Sequence, residues 1–166
     1  MPYVNTNTLT ANDMNNVLRG LFRDNSDYAV TGTTAETNMA STTLTANTLG
    51  ATGALHIMAS GTVTDVGGAA KDIRLYFGAT AVATISRTGA NAQDWLFDAW
   101  CYNTATGAQR WHIVYSTADA VTRTADYTTS AIDTTANVTI KVTGDLAGAT
   151  DTITQKTFDI FIVQIT

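Results

Sequence analysis

Two histidines and one cysteine are the residues of this chain whose types most readily do chemistry. Neither His56 nor His112 has a second histidine or cysteine at the short spacing of a zinc site, so the pattern predicts no metal. We expect each histidine to lie in a strand, either bonded to a partner or on the surface. Cys101 is the only cysteine, which excludes a disulfide within the chain, and its aromatic neighbours favour a small buried hydrophobic residue in a strand.

Paired aspartates are the remaining candidates for catalysis. Asp94 and Asp98 flank Trp95 as a glycosidase pair could, but four residues of a regular strand separate them by about 13 Å. Glycosidase carboxylates lie roughly 5–9.5 Å apart, so we expect no catalysis at this pair. Asp145 and Asp151 border a glycine-containing turn, where they could bind calcium, although solvated turn residues are the simpler interpretation. The sequence therefore predicts no catalytic residues, no metal and no cofactor.

Aromatic side chains offer a different chemistry, which is stacking. Trp95, Trp100 and Trp111, together with several tyrosines, could line a face that binds sugars, because aromatic rings stack on the apolar faces of sugar rings. The alternative is that these rings fill the core and the seams between subunits. The choice between these two interpretations depends on which face of its strand carries each tryptophan.

Composition narrows the class of protein. The chain has 166 residues, of which 45% are hydrophobic and only 14% are charged, well below the usual share of about 25%. A net charge of −5 argues against binding to nucleic acid, which needs a basic surface. There is no apolar run of the roughly 20 residues that a membrane helix needs. The first residues lack the basic start and apolar region of a signal peptide, so we expect folding in a cytoplasm.

The first 30 residues are predicted to form an extended arm followed by one amphipathic helix. Five apolar residues recur at the spacing of a single helical stripe: Met14, Val17, Leu18, Leu21 and Phe22. This stripe must be buried, either against the body of its own domain or against symmetry mates or a docking platform. Its place at one end of an otherwise strand-like chain favours the second possibility.

Residues 31–166 are predicted to form one domain of antiparallel strands. Apolar and polar residues alternate in several segments, about eight in all, and turns rich in Gly, Asn, Asp and Thr separate them, which favours a sandwich or jelly roll. The last strand is apolar on both faces, so it belongs in the middle of a sheet or at a subunit interface. We therefore take three residues as candidate interface positions: Leu96, Phe161 and Val163.

Three segments resemble the jelly-roll domains of virion proteins from tailed bacteriophages. They are TANTLG at residues 45–50, KDIRLYFG at residues 71–78 and WLFDA at residues 95–99. The segment LTANDMNNVLRGLFRD is similar to the N-terminal anchoring segments of phage fibres and head-surface proteins. The resemblance extends from about Leu9 to the end of the chain, and its motifs are structural.

The resemblance implies an all-β, antiparallel jelly-roll sandwich with a short N-terminal α-helix, arranged as a homotrimer. It implies a non-enzymatic virion structural protein, either a capsid decoration protein or a head fibre, attached through its N-terminal segment to the major capsid protein or another virion protein. Such a protein would be assembled in the host cytoplasm and displayed on the virion surface. The first alternative is a tail-fibre or receptor-binding knob that recognises host glycans, and the second is a free carbohydrate-binding module or hydrolase.

Overall fold

The computed structural model describes residues 19–64, 66, 68–89, 92–117 and 123–163. The described residues are built from strands, with no helix among them. No helix in this part of the chain is long and apolar enough to cross a membrane. The strands, in chain order, are β1 (Arg19–Asp24), β2 (Tyr28–Thr31), β3 (Thr37–Leu44), β4 (Ala54–Thr64), β5 (Lys71–Phe77), β6 (Thr80–Arg87), β7 (Gln93–Ala105), β8 (Ala108–Thr117), β9 (Thr124–Ser130), β10 (Val138–Leu146) and β11 (Thr152–Val163).

The strands form two antiparallel sheets in a sandwich-like arrangement. The larger sheet has the order β1-β11-β4-β7-β8-β9, and β2 also pairs with β11. The smaller sheet has the order β3-β10-β5-β6. The inward faces of both sheets meet in one hydrophobic core, where the ring of Phe77 from β5 lies 5.3 Å from the ring of Trp111 on β8. The predicted all-β antiparallel class is therefore confirmed.

Strand β7 shows why alternation in the sequence was informative. Trp95, Phe97, Ala99 and Cys101 are buried, whereas the residues that alternate with them are more exposed, because successive side chains of a strand point to opposite faces. Cys101 is fully buried, as expected of a small hydrophobic residue, and burial raises the pKa of its thiol. The last strand, β11, lies between β4 and the pair β1 and β2, so the prediction that it occupies the interior of a sheet is confirmed.

Gly61 in β4 allows a large aromatic side chain to enter the core. It is the direct cross-strand partner of Trp95, and a Cβ atom at this position would lie 2.7 Å from the Trp95 ring. The same Cβ atom would lie 1.9 Å from the carbonyl oxygen of Thr154. Beside Gly61, the register between β4 and β11 shifts between Gln155 and Thr157 of β11, which is a β-bulge on the partner strand.

The predicted N-terminal helix is wrong where the structure describes it. Leu21 and Phe22 lie in strand β1, which pairs with β11. The register shifts between Gly20 and Phe22, and this irregularity lets two consecutive apolar side chains pack against the core. Phe22 packs edge-on against Phe158 at 5.6 Å. The other three residues of the predicted stripe, Met14, Val17 and Leu18, lie outside the described residues.

Candidate interaction face on the larger sheet

One row of aromatic side chains crosses the outer face of the larger sheet. Phe161 of β11 is the direct partner of His56 on β4, which is the partner of Trp100 on β7. Trp100 is in turn the partner of His112 on β8, and His112 is the partner of Tyr127 on β9. Because cross-strand partners point to the same face, these five residues form a continuous line, which we call the aromatic row.

The rings of the aromatic row form two stacks. His56 and Trp100 stack with centroids 4.3 Å apart and planes 10° apart, and His112 and Tyr127 stack at 4.7 Å and 8°. Phe161 continues the first stack, 6.1 Å from His56. Stacked aromatic pairs contribute about 0.5–1.5 kcal/mol each beyond burial of their area. The rings of each stack therefore restrain one another.

Tyr127 of the row and the neighbouring Tyr102 give this face its most exposed aromatic surface. Tyr127 is 75% exposed, although one face of its ring lies against His112. Tyr102 is 45% exposed and stacks on Trp100 at 6.1 Å. An exposed set of neighbouring aromatic rings is unusual for a surface that faces only water, and such patches mark interaction sites.

The aspartates beside the row are bonded to neighbouring side chains. The imidazole Nε2 of His56 lies 2.7 Å from Oδ1 of Asp98, and the guanidinium Nε of Arg23 donates to Oδ1 of Asp159 at 2.9 Å. The aspartates occupy the register position next to the row, with Met58 between them. A partner that covers this face would therefore meet polar groups that already have hydrogen-bond partners, which lowers the cost of desolvation.

A depression lies at each side of this face. One, of about 490 Å³, is lined by residues of four strands, among them Ser60, Leu96, Ser116 and Lys156. The other, of about 420 Å³, is lined by residues 20–23 and Phe161. The three predicted interface positions are thus brought to one surface, because Val163 shares the outward face of β11 with Phe161.

The three tryptophans proposed for glycan contact do not lie together. Only Trp100 belongs to the outer face. Trp95 is 1% exposed and Trp111 is 2% exposed, so the prediction that these two contact a glycan is wrong. Both point into the sandwich, where Trp111 donates from Nε1 to the hydroxyl oxygen of Ser130 at 2.9 Å. The alternative interpretation, that such rings fill the core, holds for these two residues.

The outer face of the smaller sheet has a different chemistry. Arg74 on β5 donates to the carboxylates of Asp72 at 2.5 Å and Asp145 at 3.0 Å, and it lies 3.3 Å from the carboxylate of Glu36. The hydroxyl of Thr143 donates to Glu36 at 2.6 Å and holds the pKa of that carboxyl below its ordinary value. This face is a network of mutually bonded polar groups, whereas the larger sheet presents aromatic rings.

Three of the aspartates considered for catalysis or calcium binding are paired with other side chains: Asp98, Asp145 and Asp151. Asp94 and Asp98 both lie on β7, and Asp98 is bonded to His56, which confirms the expectation of a partner-bonded histidine. Within the described ranges, no group of three or more His, Cys, Asp and Glu residues could hold a metal ion. Asp145 is bonded to Arg74. The interpretation of Asp151 as a solvated turn residue is wrong, because its side chain is fully buried against Lys71.

Sequence reasoning did not find the row itself. His56 and His112 were recognised as strand residues, but Tyr127 lies in a threonine-rich segment of weak alternation and gave no signal. Alternation indicates the face of a strand on which a residue lies, whereas the row depends on the register between strands that are far apart in the chain. Comparison of the chain with models of protein families gives no match, and comparison with curated proteins gives none.

Proposed function

We propose that this protein is a non-enzymatic structural protein of a bacteriophage virion, with its sandwich in jelly-roll topology. It forms a homotrimer that decorates the capsid or builds a head fibre, and it is attached to the major capsid protein or another virion protein through its N-terminal segment. It is assembled in the host cytoplasm and displayed on the virion surface. The aromatic row is the observation that carries this proposal, and the motifs at residues 45–50, 71–78 and 95–99 support it by resemblance.

The occupant of the aromatic face is a neighbouring copy of the chain. Six strands at a spacing of about 4.8 Å make a face about 24 Å wide, and ten residues along a strand extend about 33 Å. The resulting area of roughly 800 Å² equals what one partner contributes to a stable interface of standard size. Aromatic residues at the centre and paired charges at the side match the usual anatomy of such interfaces.

The stacked rings of the row are also preorganised for binding. A side chain that is immobilised on binding costs about 0.5–1.5 kcal/mol of conformational free energy. His56, Trp100 and Phe161 already hold one another in a stack before any partner arrives. These side chains therefore lose little conformational freedom on association, so that most of the free energy of burying the rings favours binding.

The test is the solution mass of the purified chain, measured by light scattering during size exclusion. We expect about three times the subunit mass of 17.6 kDa for the natural protein. Tyr127→Arg and Phe161→Asp place a charge in the row and should reduce the mass to that of one subunit while the β-rich circular dichroism is kept. Thr139→Arg is the matched control, because Thr139 is an exposed strand residue on the smaller sheet and the change should leave the trimer intact.

A monomeric natural chain would contradict the proposal, as would a trimer that survives both substitutions in the row. If the trimer also dissociates in the Thr139→Arg variant, then the interface lies elsewhere or the effect of a charge is nonspecific. Each of these results can be read without knowledge of the phage or its host.

A second function is favoured by the exposed rings of Tyr102 and Tyr127. Each leaves one ring face uncovered by its stacked neighbour, and an uncovered aromatic face is what a sugar ring stacks upon. A tail-fibre or receptor-binding knob that recognises host glycans would use these faces together with Trp100. Binding to a glycan array that is lost in Tyr102→Ala and Tyr127→Ala, with the trimer retained, would favour this function over a purely structural one.

A further inference from the structure

Lys71 and Asp151 form a fully buried pair that connects the two sheets of the sandwich. Lys71 is the first residue of β5 in the smaller sheet, and Asp151 immediately precedes β11 in the larger sheet. Both side chains are 0% exposed, and Nζ of Lys71 lies 3.1 Å from Oδ2 of Asp151. Lysine and aspartate are almost never fully buried, so this pair calls for a physical explanation beyond the packing of the core.

The surroundings hold both reacting groups in place. The backbone N–H of Val66 donates to Oδ1 of Asp151 at 2.9 Å, and Nζ of Lys71 donates to the carbonyl oxygen of Ala69 at 2.6 Å. Gly148 leaves room for the carboxylate, since a Cβ atom there would lie 3.3 Å from Oδ2 of Asp151. Nζ of Lys71 is thus held against the carboxyl group whose Cγ it would attack, at 3.1 Å from Oδ2.

We infer that Lys71 and Asp151 join in an intramolecular isopeptide bond. In the proposed reaction, one proton passes from Nζ of Lys71 to Oδ2 of Asp151, which lies 3.1 Å away, and this gives an amine beside a carboxylic acid. The lone pair of Nζ then attacks Cγ of Asp151. The N–H of Val66 is positioned to stabilise the negative charge that develops on Oδ1.

The reaction balances without any other reactant. The new bond is Nζ–Cγ, and the bond that breaks is Cγ–Oδ2. A second proton passes from Nζ to the departing hydroxyl, which leaves as one water molecule. Two charged groups in a dry interior become one neutral amide, which removes the cost of keeping ions there. The fold itself supplies the catalysis, through proximity and exclusion of water.

The bond would link the two sheets covalently at one end of the sandwich. It joins the start of a strand in one sheet to the start of a strand in the other, and it closes residues 71–151 into a covalent loop. Such a loop restricts the unfolded chain in the same way as a disulfide, and it needs no oxidising compartment. This inference is independent of the proposed function and of the oligomeric state.

The experiment is intact mass spectrometry of the full chain purified after folding, followed by trypsin digestion. We expect a mass lower than that of the sequence by one water. Trypsin should fail to cleave after Lys71, and one peptide should contain residues 24–74 linked to residues 142–156. Lys71→Arg is the matched control: arginine keeps the positive charge but is a poor nucleophile, so this variant should have its full mass. The natural chain kept in denaturant from synthesis onward should also have its full mass.

A folded natural chain of full mass, cleaved normally after Lys71, would overturn the inference and leave an ordinary buried ion pair. Loss of water without the linked peptide would also overturn it, since that loss would lie elsewhere in the chain. If the Lys71→Arg variant does not fold, the linked peptide of the natural chain still decides the question, because it identifies both residues directly.

Discussion

Substitution of Gly61 by alanine should destabilise the sandwich strongly. The added Cβ atom would lie 1.9 Å from the carbonyl oxygen of Thr154 and 2.7 Å from the ring of Trp95. The carbonyl oxygen cannot move away without disturbing strand pairing, because it belongs to β11, which pairs with β4 along its length. Overpacking of a core typically costs 1–3 kcal/mol, and a clash with backbone belongs at the upper end, so we expect a loss of about 3 kcal/mol.

The assay is reversible unfolding in urea with detection by tryptophan fluorescence, together with thermal melting. A loss of about 3 kcal/mol in a domain of this size lowers the melting temperature by roughly 6–12 °C. Gly107→Ala is the matched control, because a Cβ atom there meets nothing within 4 Å, and its effect should stay within about 0.5 kcal/mol. Trp95→Phe in the Gly61→Ala background separates the two clashes: a partial rescue assigns part of the cost to the ring. A Gly61→Ala variant as stable as the natural chain would refute the reasoning.

Three further predictions concern single groups. Because the hydroxyl of Thr143 holds the pKa of Glu36 below its ordinary value of 4.5, the stability that Glu36 contributes should be present above that value and be lost as the pH falls below it. Urea unfolding from about pH 6 to about pH 3 should show a Glu36→Gln variant converging on the natural chain at acid pH, and a constant difference would contradict this. Burial raises the pKa of Cys101, so its thiol should react with a disulfide reagent only after denaturation; rapid reaction of the native chain would exclude the buried position. Trp111→Phe removes a buried hydrogen bond to Ser130 and part of a core ring, and urea unfolding should show a loss of about 2–4 kcal/mol, whereas an unchanged midpoint would mean that the core refills the space.

Local patterns predicted the strands well where one face is buried. The alternating burial of β4 and β7 matches the alternation of apolar and polar residues in their sequences, because burial on one side imposes a period of two. The same reasoning failed at Leu21 and Phe22. There an irregular register turns consecutive apolar residues towards the core, and their spacing in the sequence is also that of a helical stripe.

The candidate site could be predicted only in part, because it is made by long-range register. The sequence shows that Leu96 and Trp100 share a face of one strand, but it does not show that His56 lies between Trp100 and Phe161. The burial of Asp151 is equally nonlocal. Its partner Lys71 is 80 positions earlier in the chain, on a strand of the other sheet, and the turn-like sequence around Asp151 gives no sign of it.

The contact between Gly61 and Trp95 links the core to the interaction face. If β7 slipped by one residue against β4, every side chain of β7 would change face: Trp95 would point to solvent and Trp100 would enter the core. The ring of Trp95 fits the core because its direct partner Gly61 lacks a side chain, and a Cβ atom at position 61 would lie 2.7 Å from the ring. The same register places His56 beside Trp100 and therefore starts the stack of the aromatic row. A buried packing requirement on one side of the sheet thus determines which rings meet on the other side, where a partner would bind.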